Sequence, residues 1–236
     1  MVELKGRRVE DLLPGRQGRV LFAFLAVNRT RDSAADQLAD VVWPAGAPPG
    51  AEATLRTLIS KVRRVVGSDA LGRGGRYRLE LPPGTRVDME AAFDAVHRAE
   101  TAVAEEDWIR SWGPSQVALF TARRGFLPGE DAPWIDERRR VLTELELRAL
   151  ECYAAAAVGV GGAELPGAER AARKLVEREP FREAGHRLLM RALAERGNVA
   201  EALRAYDGLA SLLRDQLGVD PSPATKELHR SLLAMT

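Results

Sequence analysis

Between Thr54 and Val66 the apolar residues Leu55, Leu58, Ile59, Val62 and Val66 recur at intervals of three and four, the spacing that lines one face of an α-helix. Arg56, Thr57, Ser60, Lys61, Arg63 and Arg64 fill the rest of the circumference, so the segment predicts a helix with a core side and a basic side. Gly67 ends that pattern, and the stretch from Leu71 to Leu79 changes period. Its glycines suit a tight turn, Tyr77 and Leu79 alternate as in a strand, and Arg73, Arg76 and Arg78 decorate the ribbon. Upstream, Val2–Val9 predicts a short hairpin around a Gly turn. After Pro14-Gly15, Val20, Leu21, Phe24, Leu25 and Val27 mark the apolar face of a first helix. Ser33 suits the N-cap of a short second helix through Leu38 and Val41, closed by Trp43-Pro44. A Pro/Gly-rich turn from Ala45 to Gly50 then delivers the basic helix. These helices and the terminal hairpin predict a winged helix-turn-helix that ends at Pro82-Pro83-Gly84.

From Met89 onward the period is helical almost throughout. Helices are predicted over Ala91–Glu105, Pro114–Arg124, Trp134–Ala157, Pro166–Glu179, Phe181–Arg196, Val199–Gln216 and Ser222–Met235. The segments that begin at Gly162 and Gly197 resemble each other, and their offset of 35 residues is close to the roughly 34-residue period of tetratricopeptide helix pairs. The expected fold is therefore mainly α: a winged helix with a small hairpin over 1–88, then an all-α tetratricopeptide-like solenoid over 89–236. Such pairs bury their apolar faces only by stacking, and the stack leaves a concave surface suited to protein.

Composition narrows the function classes. With 236 residues, 45% hydrophobic and 29% charged, the chain has enough material for two cores. Its N-terminus, Met-Val-Glu-Leu-Lys-Gly-Arg-Arg, lacks the apolar stretch of a secretory signal, and no apolar run approaches the roughly 18 residues of a membrane span. The expected location is the cytoplasm, with no membrane partner. The net charge of +1 conceals a division: residues 1–88 hold 15 Lys/Arg against 10 Asp/Glu, whereas residues 89–236 hold 20 against 24. Between Thr54 and Arg78 seven basic residues face one acid, Asp69. A solvated helix face accounts for the basic helix alone, but the adjoining basic hairpin favours nucleic acid. Cys152 has no partner for a disulfide and reads as a buried, inert thiol. His97, His186 and His229 are far apart in sequence and none has a neighbour at i+3 or i+4 of the kind that suggests a zinc helix, and no phosphate loop, nucleophile elbow or His/Cys nucleophile signature is present. The acids Glu105-Glu106-Asp107 read as a solvated face. No cofactor, metal or enzymatic activity is expected.

With both halves placed, the chain resembles the Streptomyces antibiotic regulatory protein family, activators that join an OmpR-type winged helix to a bacterial transcriptional activator domain. In the first half the resemblance lies in Gln37–Pro44, Thr54–Arg64 and Gly75–Leu79. In the second it lies in Gly125–Gly129, Trp134–Arg140, His186–Leu193, Glu201–Tyr206 and Leu213–Ser222. The Ala-Leu-x-x-Tyr pattern occurs in any tetratricopeptide repeat, so order and spacing together carry the match. The family usually opens on a longer sheet, and this chain starts inside it, as a reduced or trimmed sheet would. The ATPase extension and the phosphopeptide-binding domain of some relatives are not among these residues, so the resemblance is to the small members, without regulation through ATP or a phosphorylated partner.

The resemblance implies binding to repeats in double-stranded promoter DNA and recruitment of RNA polymerase through its sigma factor, with self-association, as a homodimer on DNA, through the second half. From the residues themselves, Arg56, Thr57, Ser60 and Lys61 are candidates for base contacts, Arg63 and Arg64 for phosphates, and Arg73 and Arg76 for the backbone or minor groove beside the wing. The competing expectation is an adaptor that does not bind DNA and uses the helical repeats to hold a protein. A ligand-gated regulator with a small-molecule pocket between repeat helices is compatible with the first reading.

Overall fold

The computed structural model describes residues 2–4, 7–72 and 75–235. Its elements fall into two compact units: Met1–Ala91 with Gly125–Leu142, and Ala92–Arg124 with Thr143–Thr236.

In the first unit β1 (Val2–Leu4) pairs antiparallel with β2 (Arg7–Arg8), the expected hairpin. The strand β5 (Arg86–Val87) closes on the other edge of β1, so Glu3 stands in register with Arg8 on one side and Arg86 on the other. A 3-10 turn, Glu10–Leu12, leads into α1 (Gly15–Val27). Val20, Leu21, Phe22, Phe24, Leu25 and Ala26 are all buried, so α1 forms the centre of the core rather than one wall of it. Next come β3 (Ser33–Ala34), α2 (Ala35–Val42) and α3 (Ala51–Val66). Ser33 does not cap α2 as expected. It is a buried strand residue paired with Tyr77, and the N-cap is Ala34. The cause is tertiary: β4 (Arg76–Tyr77) adds to β3, and that pairing sets the backbone just before the helix.

The segment Gly125–Leu142 joins this unit although the sequence division at residue 88 assigns it to the second half. The Trp134 ring meets Phe24 edge-on at 5.2 Å and Phe126 at 5.7 Å between centroids. The Arg16 Nε lies 2.7 and 2.8 Å from the two Glu130 oxygens, and an Arg138 amino group donates to Asn28 Oδ1 at 3.1 Å. Arg139 fastens the loop to the helix behind it by donating to the carbonyls of Phe126, Leu127 and Glu130.

The second unit is built from α4 (Asp88–Ala104) after its first turn, α5 (Trp108–Arg123), the later turns of α6 (Pro133–Val160), α7 (Leu165–Arg178), α8 (Glu183–Glu195), α9 (Val199–Leu217) and α10 (Pro223–Leu233). In succession α8 packs on α7, α9 on α8, and α10 on α8 and α9, the stacked order that the repeat spacing predicts. Its core is rich in alanine: Ala92, Ala95, Ala99 and Ala102 on α4, Ala149, Ala154 and Ala157 on α6, Ala168 and Ala172 on α7 are all fully buried. Small side chains let helix axes approach closely. At Gly159 the Trp108 ring lies directly against the helix backbone, so an added Cβ would collide with it. Glu183, at the start of α8, accepts from the Ser222 backbone at 3.0 Å, the Ser222 hydroxyl at 2.7 Å and the Thr225 hydroxyl at 2.5 Å, which docks the first turn of α10.

Candidate nucleic-acid interface

The helix α3 packs on α1 and α2 through Leu55, Leu58, Ile59, Val62 and Val66, every one of which is buried. That stripe fixes the rotation of the helix about its axis. Arg56, Thr57, Ser60, Lys61 and Arg64 are consequently exposed along the opposite side. Arg56 is ion-paired with Glu52, one turn earlier, and Thr57 Oγ1 donates to the Ala53 carbonyl at 3.0 Å. Ser60, Lys61 and Arg64 have no side-chain partner among the described residues. Both partners of the Arg56–Glu52 pair are solvent-exposed, so it is worth about 0–1 kcal/mol and yields readily to a competing anion.

The hairpin leaves α3 at Gly67, whose φ of 116° is open to glycine and strained for other residues. Its arms are joined by the Glu80 N–H to the Ala70 carbonyl at 2.7 Å, the Gly72 N–H to the Arg78 carbonyl at 3.2 Å, and a bridge between Leu71 and Leu79. The outer arm continues into the β3–β4 pairing, so the ribbon is anchored along its outer edge. Arg76 is exposed on it without a side-chain partner among the described residues, and Arg73 lies outside the described residues. A hydrogen bond from Arg78 to Glu80 at 2.5 Å, with the carboxylate charge behind it, raises the Arg78 pKa further above its ordinary value.

Arg63 differs from its neighbours. It is half-buried, and one amino group donates to the Gly72 carbonyl at 3.0 Å, while its Nε is buried without a hydrogen-bond partner. It ties the helix to the root of the ribbon, a role its place in a basic run does not announce. Together the structure brings Arg56, Thr57, Ser60, Lys61 and Arg64 to one face.

A cavity of about 330 Å³ in the second unit is lined by Glu100, Arg148, Glu151, Cys152, Arg182 and Arg191, among others. Arg148 grips Glu100 through two bonds of 2.7 Å, and Arg182 pairs with Glu151 at 2.7 Å. The hydrogen bond from Arg148 holds the Glu100 carboxyl below its ordinary range against the opposing effect of burial. Burial, reinforced by the charges of Glu100 and Glu151, pushes the Cys152 thiol up to about 12, so it stays protonated and unreactive at neutral pH, as its sequence context suggests. His186 is buried with Nε2 2.9 Å from the Pro180 carbonyl, and burial lowers its pKa. No cluster of potential metal ligands occurs among the described residues, and no helix among them is long and apolar enough to cross a membrane.

Residues 87–233 match the family model described as the bacterial transcriptional activator domain. The chain belongs to that family. It is 32% identical over 218 residues to the regulatory protein AfsR of Streptomyces griseus, a match that covers 92% of this chain and 22% of AfsR. It is 28% identical over 247 residues to the transcriptional regulatory protein MoaR1 of Mycobacterium tuberculosis, covering 98% of this chain and 76% of MoaR1. The chain thus spans about a fifth of the length of AfsR. A solved structure of Mycobacterium tuberculosis EmbR in complex with a low-affinity phosphopeptide superposes with a TM-score of 0.76 at 24% identity, over 93% of this chain and 59% of that one. That likeness is one of fold. The activator-domain match begins at residue 87, after both α3 and the basic hairpin, so the candidate nucleic-acid face lies outside it.

Proposed function

We propose that the chain is a sequence-specific DNA-binding transcription regulator, an activator, whose first unit is a winged helix-turn-helix of OmpR type. In this reading α3 is the recognition helix and the hairpin between Ala70 and Glu80 is the wing. One observation carries it: the exposed side of α3 presents Arg56, Thr57, Ser60, Lys61 and Arg64 together, opposite a fully buried stripe. A helix fits the major groove of B-DNA, and side chains with these donors and acceptors read base edges there. Arg56, Thr57, Ser60 and Lys61 take the base or near-base positions, while Arg64, Arg73 and Arg76 hold phosphates or the minor groove. Arg63, half-buried against Gly72, sets the angle between helix and wing more than it contacts phosphate.

The names of the relatives support regulation of transcription, and recruitment of RNA polymerase through its sigma factor follows by analogy with activators of this family. The helical second unit fits that protein-facing role better than a catalytic one.

The test is a titration of a fluorescent duplex at increasing salt. Each phosphate neutralised contributes about −0.9 to the slope of log K against log salt, so several contacts give a steep line. A slope near zero refutes DNA binding. A steep slope with equal affinity for all sequences leaves only non-specific binding.

A further inference from the structure

An acid stands at the start of the basic face. Glu52, in the first turn of α3, is ion-paired with Arg56, and the two side chains are 76% and 71% exposed. They lie about 40° apart around the helix axis and about 6 Å apart along it, at the N-terminal end, where a recognition helix meets base edges. One Arg56 amino group donates to one Glu52 oxygen; the other amino group, the Nε and the second carboxylate oxygen have no partner among the described residues. The Thr54 and Thr57 hydroxyls donate back to the Gly50 and Ala53 carbonyls at 3.3 and 3.0 Å, so the uncommitted side-chain donors of the first two turns belong to Arg56. Helix stability explains part of this, since glutamate suits a helix N-terminus and a Glu–Arg pair at this spacing steadies a helix. A carboxylate on a face that meets DNA nonetheless repels the phosphates, a cost that only a base amino group in front of it offsets.

Side by side, the paired side chains present two donors from the guanidinium and then an acceptor from the carboxylate. In the major groove a G·C pair presents the N7 and O6 acceptors of guanine and then the N4 donor of cytosine. The two rows are complementary. An A·T pair shows acceptor, donor, acceptor, so the carboxylate would face the thymine O4 and one guanidinium donor would face the adenine amino group. We propose that Glu52 and Arg56 act as one reading unit for a single G·C pair, with Arg56 on guanine and Glu52 on the cytosine amino group. The inference rests on the reading of α3 as a recognition helix and makes Glu52 a specificity determinant within it.

The ion pair survives this contact. A phosphate carries a full charge and would draw Arg56 away from Glu52, whereas a base edge is neutral, and the N–H groups of a guanidinium suffice for a carboxylate and a guanine together. Because Glu52 already restrains the guanidinium, Arg56 loses less side-chain freedom on binding. On any other base pair the carboxylate is unmatched and its charge opposes the phosphates, so Glu52 acts against wrong sequences as well as for the right one. Together these effects amount to a discrimination of roughly 5- to 150-fold at that one base pair.

Selection of bound sequences from a random duplex pool tests it, with the full native chain, Glu52→Ala and Arg56→Ala run in parallel and their affinities then measured by fluorescence anisotropy. The native chain is expected to select a motif in which both variants lose the preference for G·C at the same single position and keep the rest. Glu52→Ala should bind the selected duplex roughly tenfold more weakly, and should bind the duplex with A·T at that position at least as tightly as the native chain does. Alanine favours helix, so the circular dichroism of the variant should match that of the native chain. A motif unchanged by Glu52→Ala overturns the proposal and leaves α3 as the recognition helix, and a loss spread over every position of the motif overturns it too. A native chain that selects no sequence removes the DNA-binding reading and this inference with it.

Discussion

Replacing Trp134 by Ala tests the finding that Gly125–Leu142 belongs to the core of the first unit. The ring makes two edge-to-face contacts, with Phe24 and Phe126, each worth about 0.5–1.5 kcal/mol beyond the area buried. Core Trp→Ala changes cost about 3–5 kcal/mol. Trp134 is only partly buried, and its indole N–H is buried without a partner, so its removal relieves about 1 kcal/mol of desolvation. The net loss should be about 3 kcal/mol, localised to the first unit. Amide hydrogen exchange along α1 and α2 is the assay, because it resolves the two units where a single melting curve averages them. Protection of those amides should drop about a hundredfold while α7–α9 stay unchanged, and Trp134→Phe should retain much of it. If Trp134→Ala changes α1 protection by less than a factor of about five, the aromatic contact does not hold the unit, and a fragment ending at Asp88 should be as stable as one ending at Leu142.

Other expectations are more local. Lys61→Ala or Arg56→Ala should cost about 1–3 kcal/mol at a preferred DNA site and relax selectivity there; equal losses on preferred and random duplexes would reassign the residue to phosphate. Gly159→Ala drives a methyl into the Trp108 ring and should destabilise the second unit by about 1–3 kcal/mol, read by urea unfolding. Burial raises the Glu146 pKa, and the hydrogen bond and charge of Lys174, with Arg178 and Arg123, outweigh that and leave it below the ordinary 4.5. Because the folded value is depressed, its contribution is complete above the unfolded value and is lost as pH falls through the folded one. Glu146→Gln should therefore flatten the fall in urea midpoint between neutral pH and about pH 3; an unaltered acid limb would contradict the ion cluster.

The elements most legible in the sequence are those with a clean period. For α3 the alternation of buried and basic positions gave the helix, its face and its Gly67 stop, and the helices from α6 to α10 lie within a few residues of expectation. The two-residue strands β3 and β5 carry no period to read, which is why the sequence around Ser33 suits a cap as well as a strand. Pro114 looked like the start of a helix because proline favours the first turn; α5 instead begins at Trp108 and contains it, and that misplaced start hid the exposed Ile109 and Trp112. Nothing in the continuous pattern of α6 marks the point where its first turns pack with α1 and its later turns with the repeats. Arg63 shares its residue type with Arg64 and is distinguished only by the Gly72 carbonyl beside it.

Selection of bound sequences from a random duplex pool, run in parallel with the chain and with a variant carrying Arg56→Ala and Lys61→Ala, tests the central claim most directly. The account predicts that successive rounds enrich a common sequence for the native chain and that the double variant loses or degrades it. A pool that stays random for the native chain, with recovery no greater than from empty beads, would contradict the assignment of α3 as a recognition helix and leave the protein-binding surfaces as the working part of the molecule.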